Sequence, residues 1–374
     1  MSVTQNDGLV GRKTLGRKTD TALTPESHLL IHKGDIAYNM MRMWQGAFGL
    51  ADEDGMVSPA YIVLSSKNEV DPRFASYWFK TPRLIHLFWA YSYGLTEDRL
   101  RLYFKDFAQI PITPPPLEKQ KYIALVMSVW DEAISKLRDL IETKKKYKRY
   151  LTQQLLTGQI RFSHQTEHWN SYNLKELGRF SKGTGISKSE AVPNGLPAVR
   201  YGELYTTHHI VIKQFATKIS PKVAKRSHRI SQGDILIAGS GETPEEIGKA
   251  AAFLEDYEAY AGGDVVIFSP NQQKVDSLFL SYVINSGIVR RYIQSRAQGH
   301  SVVHLYRRDL EHLRVSIPVI GEQMKIAGAL SSIDREIDTL ESYTECLAQE
   351  KRGLMQSLLS DNIKRRPNYG NPFI

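Results

Sequence analysis

The segment EKQKYIALVMSVWDEAISKLRDLIETKKKYKRYLTQQLLTG (Glu118–Gly158) returns without a gap as GEQMKIAGALSSIDREIDTLESYTECLAQEKRGLMQSLLSD (Gly321–Asp361). Gln120 aligns with Gln323, and the offset of 203 residues holds to the end of both copies. Identities include Ile123/Ile326, Ala124/Ala327, Ser128/Ser331, Asp131/Asp334, Ile134/Ile337, Leu137/Leu340, Lys148/Lys351 and Leu155/Leu358. About a third of the positions match, far more than unrelated segments share, so the chain contains a duplication. Each copy reads as one long helix, because neither holds a proline and apolar residues recur every seven positions. In the first copy the heptad a row is Ile123, Trp130, Leu137 and Leu151, broken once by Lys144. In the second it is Ile326, Ile333, Leu340, Leu347 and Leu354. A second row widens the stripe: Met127, Ile134, Ile141 and Leu155, and Leu330, Ile337 and Leu358. So wide an apolar stripe on a helix needs a partner, and the simplest partner is the other copy. Some forty residues make a rod of about 60 Å, well beyond the usual three or four turns of a core helix.

Working outward, the duplication extends upstream. Lys33-Gly34-Asp35-Ile36 faces Gln232-Gly233-Asp234-Ile235, each a polar turn entering an apolar strand. Asp71-Pro72 and Asp276-Ser277 start equivalent helices, with Asp as the cap. Apolar strands ending in proline, Ile110–Pro116 and Leu313–Pro318, lead into the long helices. The predicted class is therefore α+β: two mixed α/β domains alternating with two long helices that pair as a coiled coil. Expected boundaries are a first domain at 1–116, a helix at 117–161, a second domain at 165–318, a helix at 319–361 and a tail at 362–374. The second half has an extra segment, Trp169 to Val199, with no counterpart before Gly34, so the first domain is expected to lack opening strands.

The 374 residues carry a net charge of +9, which favours a polyanionic partner such as nucleic acid. No apolar run is long enough for a membrane span, and Met1–Gly11 lacks the apolar centre of a signal peptide. The lone cysteine, Cys346, can form neither an internal disulfide nor a zinc cluster, which points to the cytoplasm. No Walker lysine motif is present. Gly239-Ser240-Gly241 lacks the third glycine of a nucleotide cradle and reads as a loop. Asn371-Pro372-Phe373 lacks one proline of a methyltransferase loop and reads as tail. His208-His209 has no metal-ligand spacing and reads as a surface pair.

Several stretches resemble the specificity subunits of type I restriction–modification systems. They are Glu118-Lys119-Gln120 followed by Ile123-Ala124, the helix end Leu151–Gly158, the run Gly34–Gly46, Val57-Ser58-Pro59-Ala60-Tyr61, and Gly183-Thr184-Gly185. Their duplicated order over essentially the whole chain is the specific part of the resemblance. It implies that each globular half is a target recognition domain reading one half of a split double-stranded DNA sequence. The long helices would pair as an antiparallel coiled coil and act as a ruler between the half-sites, as a rigid spacer between two readers requires. The resemblance further implies two methylation subunits and two restriction subunits as partners. S-adenosylmethionine, ATP and Mg would sit on those partners, and this chain would bind no cofactor and no metal and catalyse nothing. An alternative is a truncated specificity subunit that acts mainly as a coiled-coil scaffold, with impaired recognition by its first half.

Phosphate grips use Lys and Arg, and base reading uses Arg, Asn and Gln with aromatics for shape. DNA-binding candidates in the first half are Arg12, Lys13, Arg17, Lys18, Arg42, Trp44, Gln45, Tyr93 and Arg99. In the second half they are Lys182, Lys188, Arg200, Tyr201, Lys225, Arg226, Arg229, Arg296, Gln298 and His300. The dense run Lys144–Lys146 with Lys148 and Arg149 reads as a solvated helix face, or as a contact with phosphates or a methylation subunit.

Overall fold

A computed structural model describes residues 1–5, 7–11, 24–67, 69–162, 168–299 and 302–360. Two long helices span Leu117–Leu156 and Ile320–Ser360. The chain divides into two compact units, Met1–Leu140 with Leu340–Ile374, and Ile141–Thr339. Arg12 and Lys13, with Arg17, Lys18 and His300, lie outside the described residues.

The first unit is built on a three-stranded antiparallel sheet. Its centre is β1 (Ile36–Asn39), flanked by β2 (Phe48–Leu50) and β3 (Tyr61–Leu64). Ala37 faces Gly49 on one side and Val63 on the other. The turn into β1 is set by Gly34, at φ +96°, and by Asp35, whose carboxylate accepts from the His32 N–H at 2.8 Å. Helices Pro72–Trp78 and Pro82–Ala90 cover one face, and Asp71 caps the first by accepting from the Phe74 N–H at 2.8 Å. The core there is aromatic: Phe79 packs edge-on against Phe48, Phe88 and Phe107.

The second unit repeats this plan and adds to it. Its central strand β4 (Ile235–Ala238) is wholly buried and is flanked by β5 (Ala250–Ala252) and β6 (Val265–Pro270). The same turn precedes it: Gly233 has φ +89°, and Asp234 accepts from the Ser231 N–H at 2.8 Å. Asp276 caps helix Ser277–Ile284 through the Phe279 N–H at 2.7 Å. Three strands come from the segment without a counterpart in the first half. Asn170–Asn173 pairs with Arg314–Ile317, Gly178–Lys182 extends the sheet beside β6, and Ala191–Val199 centres a second sheet with Thr217–Ile219 and Ala259–Ala261. Among the described residues of the first unit no strand pairs with the outer edge of β3; the remaining strands there form two separate antiparallel pairs, Ser2–Val3 with Leu9–Val10 and Leu29–Ile31 with Gly55–Val57.

The long helices run antiparallel in both units. In the first, Ile123, Ala124 and Met127 pack with Leu354, Met355, Leu358 and Leu359. In the second, Lys144 pairs with Glu336 at 2.8 Å and Lys148 with Asp334. Ile123 and Ile326 are fully buried, while Trp130, Leu137, Leu151, Ile333, Leu340, Leu347 and Leu354 are half-buried. Complete burial follows the neighbouring row: Met127, Ile134, Ile141 and Leu155, with Leu330 and Ile337. Lys148 and Lys351 fall on that same row, and each meets an aspartate: Lys148 meets Asp334, and Lys351 meets Asp131. A charged pair at a seam position is satisfied in one register only, so these pairs fix how the helices align.

Each pair is part of a knot that recurs in both copies, at the offset of 203 for its long-helix residues and of 205 for those of the covering helix. The Tyr77 hydroxyl donates to Asp131 at 2.7 Å, and the Tyr282 hydroxyl donates to Asp334 at 2.6 Å. Gln120, fully buried, accepts from the Asp71 N–H at 2.8 Å and donates to the Glu69 and Pro115 carbonyls. Gln323 does the same with Asp276, Lys274 and Pro318. The start of each long helix is thereby bound to the cap of the helix that covers its sheet. Replacing Tyr282 with Phe should cost about 1.5 kcal/mol in chemical denaturation, the value of a hydrogen bond to a charged group. Burial first, and then the bond to Asp334, push the Tyr282 phenol well above its usual range. The unfolded phenol ionises near pH 10 while the folded one does not, so its stabilisation is full below about pH 10 and is lost as pH rises further. The Phe variant should lack that alkaline loss.

Candidate nucleic-acid interface

In the first unit two loops meet beside the end of β1. The first follows Asn39, whose side chain accepts from the Met41 N–H at 3.0 Å. Buried Met43 anchors a short 3-10 turn, Met43–Gln45, and Gly46 closes it at φ +83°, donating its N–H to the Met43 carbonyl. Trp44 is held by its indole N–H on the Met41 carbonyl at 3.0 Å. The second loop follows helix Pro82–Ala90. Its neck is a reciprocal pair, Tyr93 N–H to Arg101 carbonyl at 3.2 Å and Arg101 N–H to Tyr93 carbonyl at 3.0 Å. One stitch joins the loops: the Leu102 N–H donates to the Met40 carbonyl at 2.9 Å, with Leu102 fully buried. Between them lies a cleft of about 580 Å³, lined by Met41, Arg42, Trp44, Gln45, Asp98, Arg99 and Arg101.

The charge there is unbalanced. Arg42, Arg99 and Arg101 are exposed, and among the described residues their side-chain contacts are long: 3.4 Å to Gln45, 4.0 Å to Asp98 and 3.5 Å to the Tyr103 hydroxyl. Three guanidiniums against one aspartate favour an anion, and the fork geometry of arginine suits phosphate oxygens or the guanine edge. Lys105 lies over the Tyr93 ring at 5.8 Å and adds a fourth cation.

The second unit repeats the stitch and the neck. The Leu305 N–H donates to the Gly239 carbonyl at 2.9 Å, and Gln298 and His304 form the reciprocal neck. The space beside it, about 720 Å³, is lined by Gln298, Tyr306, Arg307, Arg308 and Glu311. Arg308 stacks over Tyr306 at 5.3 Å, and Arg307 is tied to Glu311 at 2.6 Å. Ser240 is buried, and its hydroxyl lies 2.9 Å from His304 Nδ1; Ser240–Gly241 forms a short strand with Val303–His304. Arg290 supports this wall from beneath. It is buried and donates to the Ile247 and Glu245 carbonyls, and burial draws its pKa down despite the nearby Glu245 carboxylate.

The sequence candidates separate by position. Arg42, Trp44, Gln45 and Arg99 share the first cleft, and Gln298 lines the second. Arg296 is exposed on the loop that carries Gln298, its guanidinium 4.9 Å from the Tyr292 ring centre. The others lie elsewhere in the second unit. Lys182 is 3.5 Å from Asp264, and Arg226 is paired with Glu190. Lys188 is exposed in a turn, and Arg229 is exposed on strand His228–Ile230. Tyr201 packs beside Tyr205. Arg200 is held by Thr217 at 3.0 Å and Glu203 at 3.4 Å. His208 joins that buried group, 3.8 Å from Glu203 and edge-on to Phe215. It is an interior residue rather than half of a surface pair, because the turn folds it under the Glu203 helix. Arg101, Tyr306, Arg307 and Arg308 were not singled out from sequence. The matched pairs Tyr103/Tyr306 and Lys105/Arg308, at the same offset of 203, carried the signal.

Residues 10–145 and 166–345 match the family model of the type I restriction modification DNA specificity domain. The type I restriction enzyme MjaVIII specificity subunit of Methanocaldococcus jannaschii is 24% identical, over 90% of this chain and 80% of that protein. The putative MjaX specificity subunit of the same organism is 22% identical, over 80% of this chain and 70% of that protein. The solved S subunit of a type I restriction-modification system from M. genitalium shares the fold, with a TM-score of 0.57 and 17% identity over 87% of this chain and 83% of that one. A chain solved in work on complex assembly and conformational transition of the type I R-M system aligns with a TM-score of 0.55, over 90% of this chain and 84% of that one, at 17% identity.

Proposed function

Because the chain belongs to the type I restriction modification DNA specificity domain family, we propose that each of its globular units reads one half of a split duplex sequence through its two-loop cleft. The chain is the specificity subunit of a type I system, and it selects DNA and scaffolds the complex. One observation carries the proposed reading. The same backbone bond stitches the two equivalent loops in both units, and arginines line the space beside the stitch in each: both loops line it in the first unit, and Gln298 with Tyr306 and helix Arg307–Glu311 line it in the second. Arg42, Arg99 and Arg101 serve the first half-site, and Gln298, Arg307 and Arg308 the second. The long helices join the readers and set the unread gap.

The partners are two methylation subunits and two restriction subunits, which carry S-adenosylmethionine, ATP and Mg; this chain directs their chemistry and performs none. The complex works in the cytoplasm. No helix among the described residues is long and apolar enough to cross a membrane. Footprinting of this chain assembled with its methylation subunits should show two protected blocks separated by an unprotected gap, weakening steeply as salt rises. A footprint with one continuous block, or none, would overturn the reading. Methyl transfer by the purified chain alone would overturn the non-catalytic assignment.

A further inference from the structure

The loop closed by Tyr93 and Arg101 carries at its tip a leucine that the fold does not use. Leu95 is 99% exposed. A lone exposed leucine is ordinary, but this one is displayed by a built loop. The neck is hydrogen-bonded in both directions, and the Arg99 N–H donates to the Thr96 carbonyl at 3.0 Å. The chain doubles back so closely at Gly94 that a Cβ there would lie 2.3 Å from the Arg99 carbonyl oxygen. The tip is therefore preorganised, and its apolar side chain is held away from the core.

Its surroundings are aromatic and net cationic. Glu97 and Asp98 stand between it and Arg99 in the loop, but Arg99 and Arg101, Arg42 across the stitch and Lys105 over Tyr93 outnumber them. A leucine gains nothing from phosphates. Among cations that draw a duplex onto the loop, its only favourable destination is an apolar surface of the DNA, and the largest such surface is the face of a base pair. Apolar side chains pushed into a base step unstack it and kink the duplex, and flanking phosphate contacts hold the bend. We infer that Leu95 is a wedge that inserts into one base step of the half-site read by the first unit. The loop of the second unit is two residues shorter between its neck residues Gln298 and His304, so the two readers are not equipped alike.

This inference rests on the DNA-reading assignment above, and the test separates the two. The complex of this chain with its methylation subunits is bound to the split sequence found by methylome sequencing of the host. The duplex carries 2-aminopurine at successive positions of each half-site in turn, the methylated base left unlabelled. Binding should raise fluorescence several-fold at one step of the first half-site. Leu95→Ala should abolish that rise and weaken binding about tenfold, with the salt slope unchanged because no cation is removed. Leu95→Met should keep most of the rise. Fluorescence in the second half-site should be unaffected by either variant. The wedge is overturned if no step of the first half-site brightens, or if Leu95→Ala brightens it as strongly as the unaltered chain does. It is also overturned if Leu95→Ala lowers affinity only where a thymine methyl lies beneath the loop, with the duplex fully stacked. Absence of any footprint from the unaltered complex would instead sink the DNA-reading assignment itself.

Discussion

Replacing Arg161 with alanine is expected to cost the second unit about 3–5 kcal/mol, because it strands a buried carboxylate. Glu322 is fully buried in the first turn of the second long helix. Arg161 reaches it with two parallel bonds, Nε to Oε1 at 3.0 Å and Nη2 to Oε2 at 2.6 Å. The fork supplies both charge and direction, which a lysine cannot reproduce. The helix terminus adds a smaller stabilisation, since a carboxylate belongs near the N-terminal end of the helix dipole. Removing the arginine leaves those oxygens neither solvated nor paired. The double variant Arg161→Met/Glu322→Leu removes both partners and fills the space, so it should lie within about 1 kcal/mol of the unaltered chain. Calorimetry of the three proteins checks this: a single variant that melts with the unaltered chain would mean that water replaces the guanidinium. The clasp has no twin, for Lys119 stands where Glu322 would be in the first copy.

That asymmetry marks the limit of what the duplication made legible. A constant offset identifies equivalent residues, and the heptad shows which of them share a helix face. Neither tells which row of that face is covered most deeply, because that depends on what else packs there. Complete burial falls on the row of Met127, Ile134 and Ile141, and the row of Trp130 and Leu137 lies at its edge. Lys148 reads as part of a dense charged run, either a solvated face or a contact with phosphates or a methylation subunit, yet it and its equivalent Lys351 stand at seam positions opposite aspartates. Opposite charges brought together across a long stretch of chain are invisible to local pattern.

The site was legible where local grammar positions it. Arg42, Trp44 and Gln45 follow a Gly-Asp-Ile turn and a four-residue strand, so their place at a sheet end could be read directly. Arg101 lies in an irregular loop held by its reciprocal neck, and Arg308 on a helix of five residues, Arg307–Glu311, too short to show a period in the sequence. Surface cations such as Lys182 and Arg226 look the same in sequence but have carboxylates beside them, and only folding supplied those.

Removing all three cleft arginines, Arg42→Ala/Arg99→Ala/Arg101→Ala, should weaken specific DNA binding by the assembled complex about 100-fold or more. Each lost contact is worth about 1–3 kcal/mol if it reads a base edge. A loss by way of phosphates and a loss by way of bases are separable. Each phosphate contact removed should flatten the plot of log affinity against log salt by about 0.9, so three of them would change the slope by roughly 3. Bidentate base contacts would leave the slope nearly intact and instead relax discrimination in one half-site. The fold should tolerate the change, since all three side chains are exposed and their internal contacts are long. The matched control is Lys33→Ala/Arg73→Ala/Arg83→Ala, three exposed cations of the same unit that do not line the cleft. Because both triples remove the same charge, a general field effect would weaken binding equally in the two. An affinity loss confined to the cleft triple, with discrimination at the second half-site retained, requires the contact to be local. Equal losses would mean that the cleft gathers DNA without reading it, and specificity in the first half would then have to come from another part of that unit.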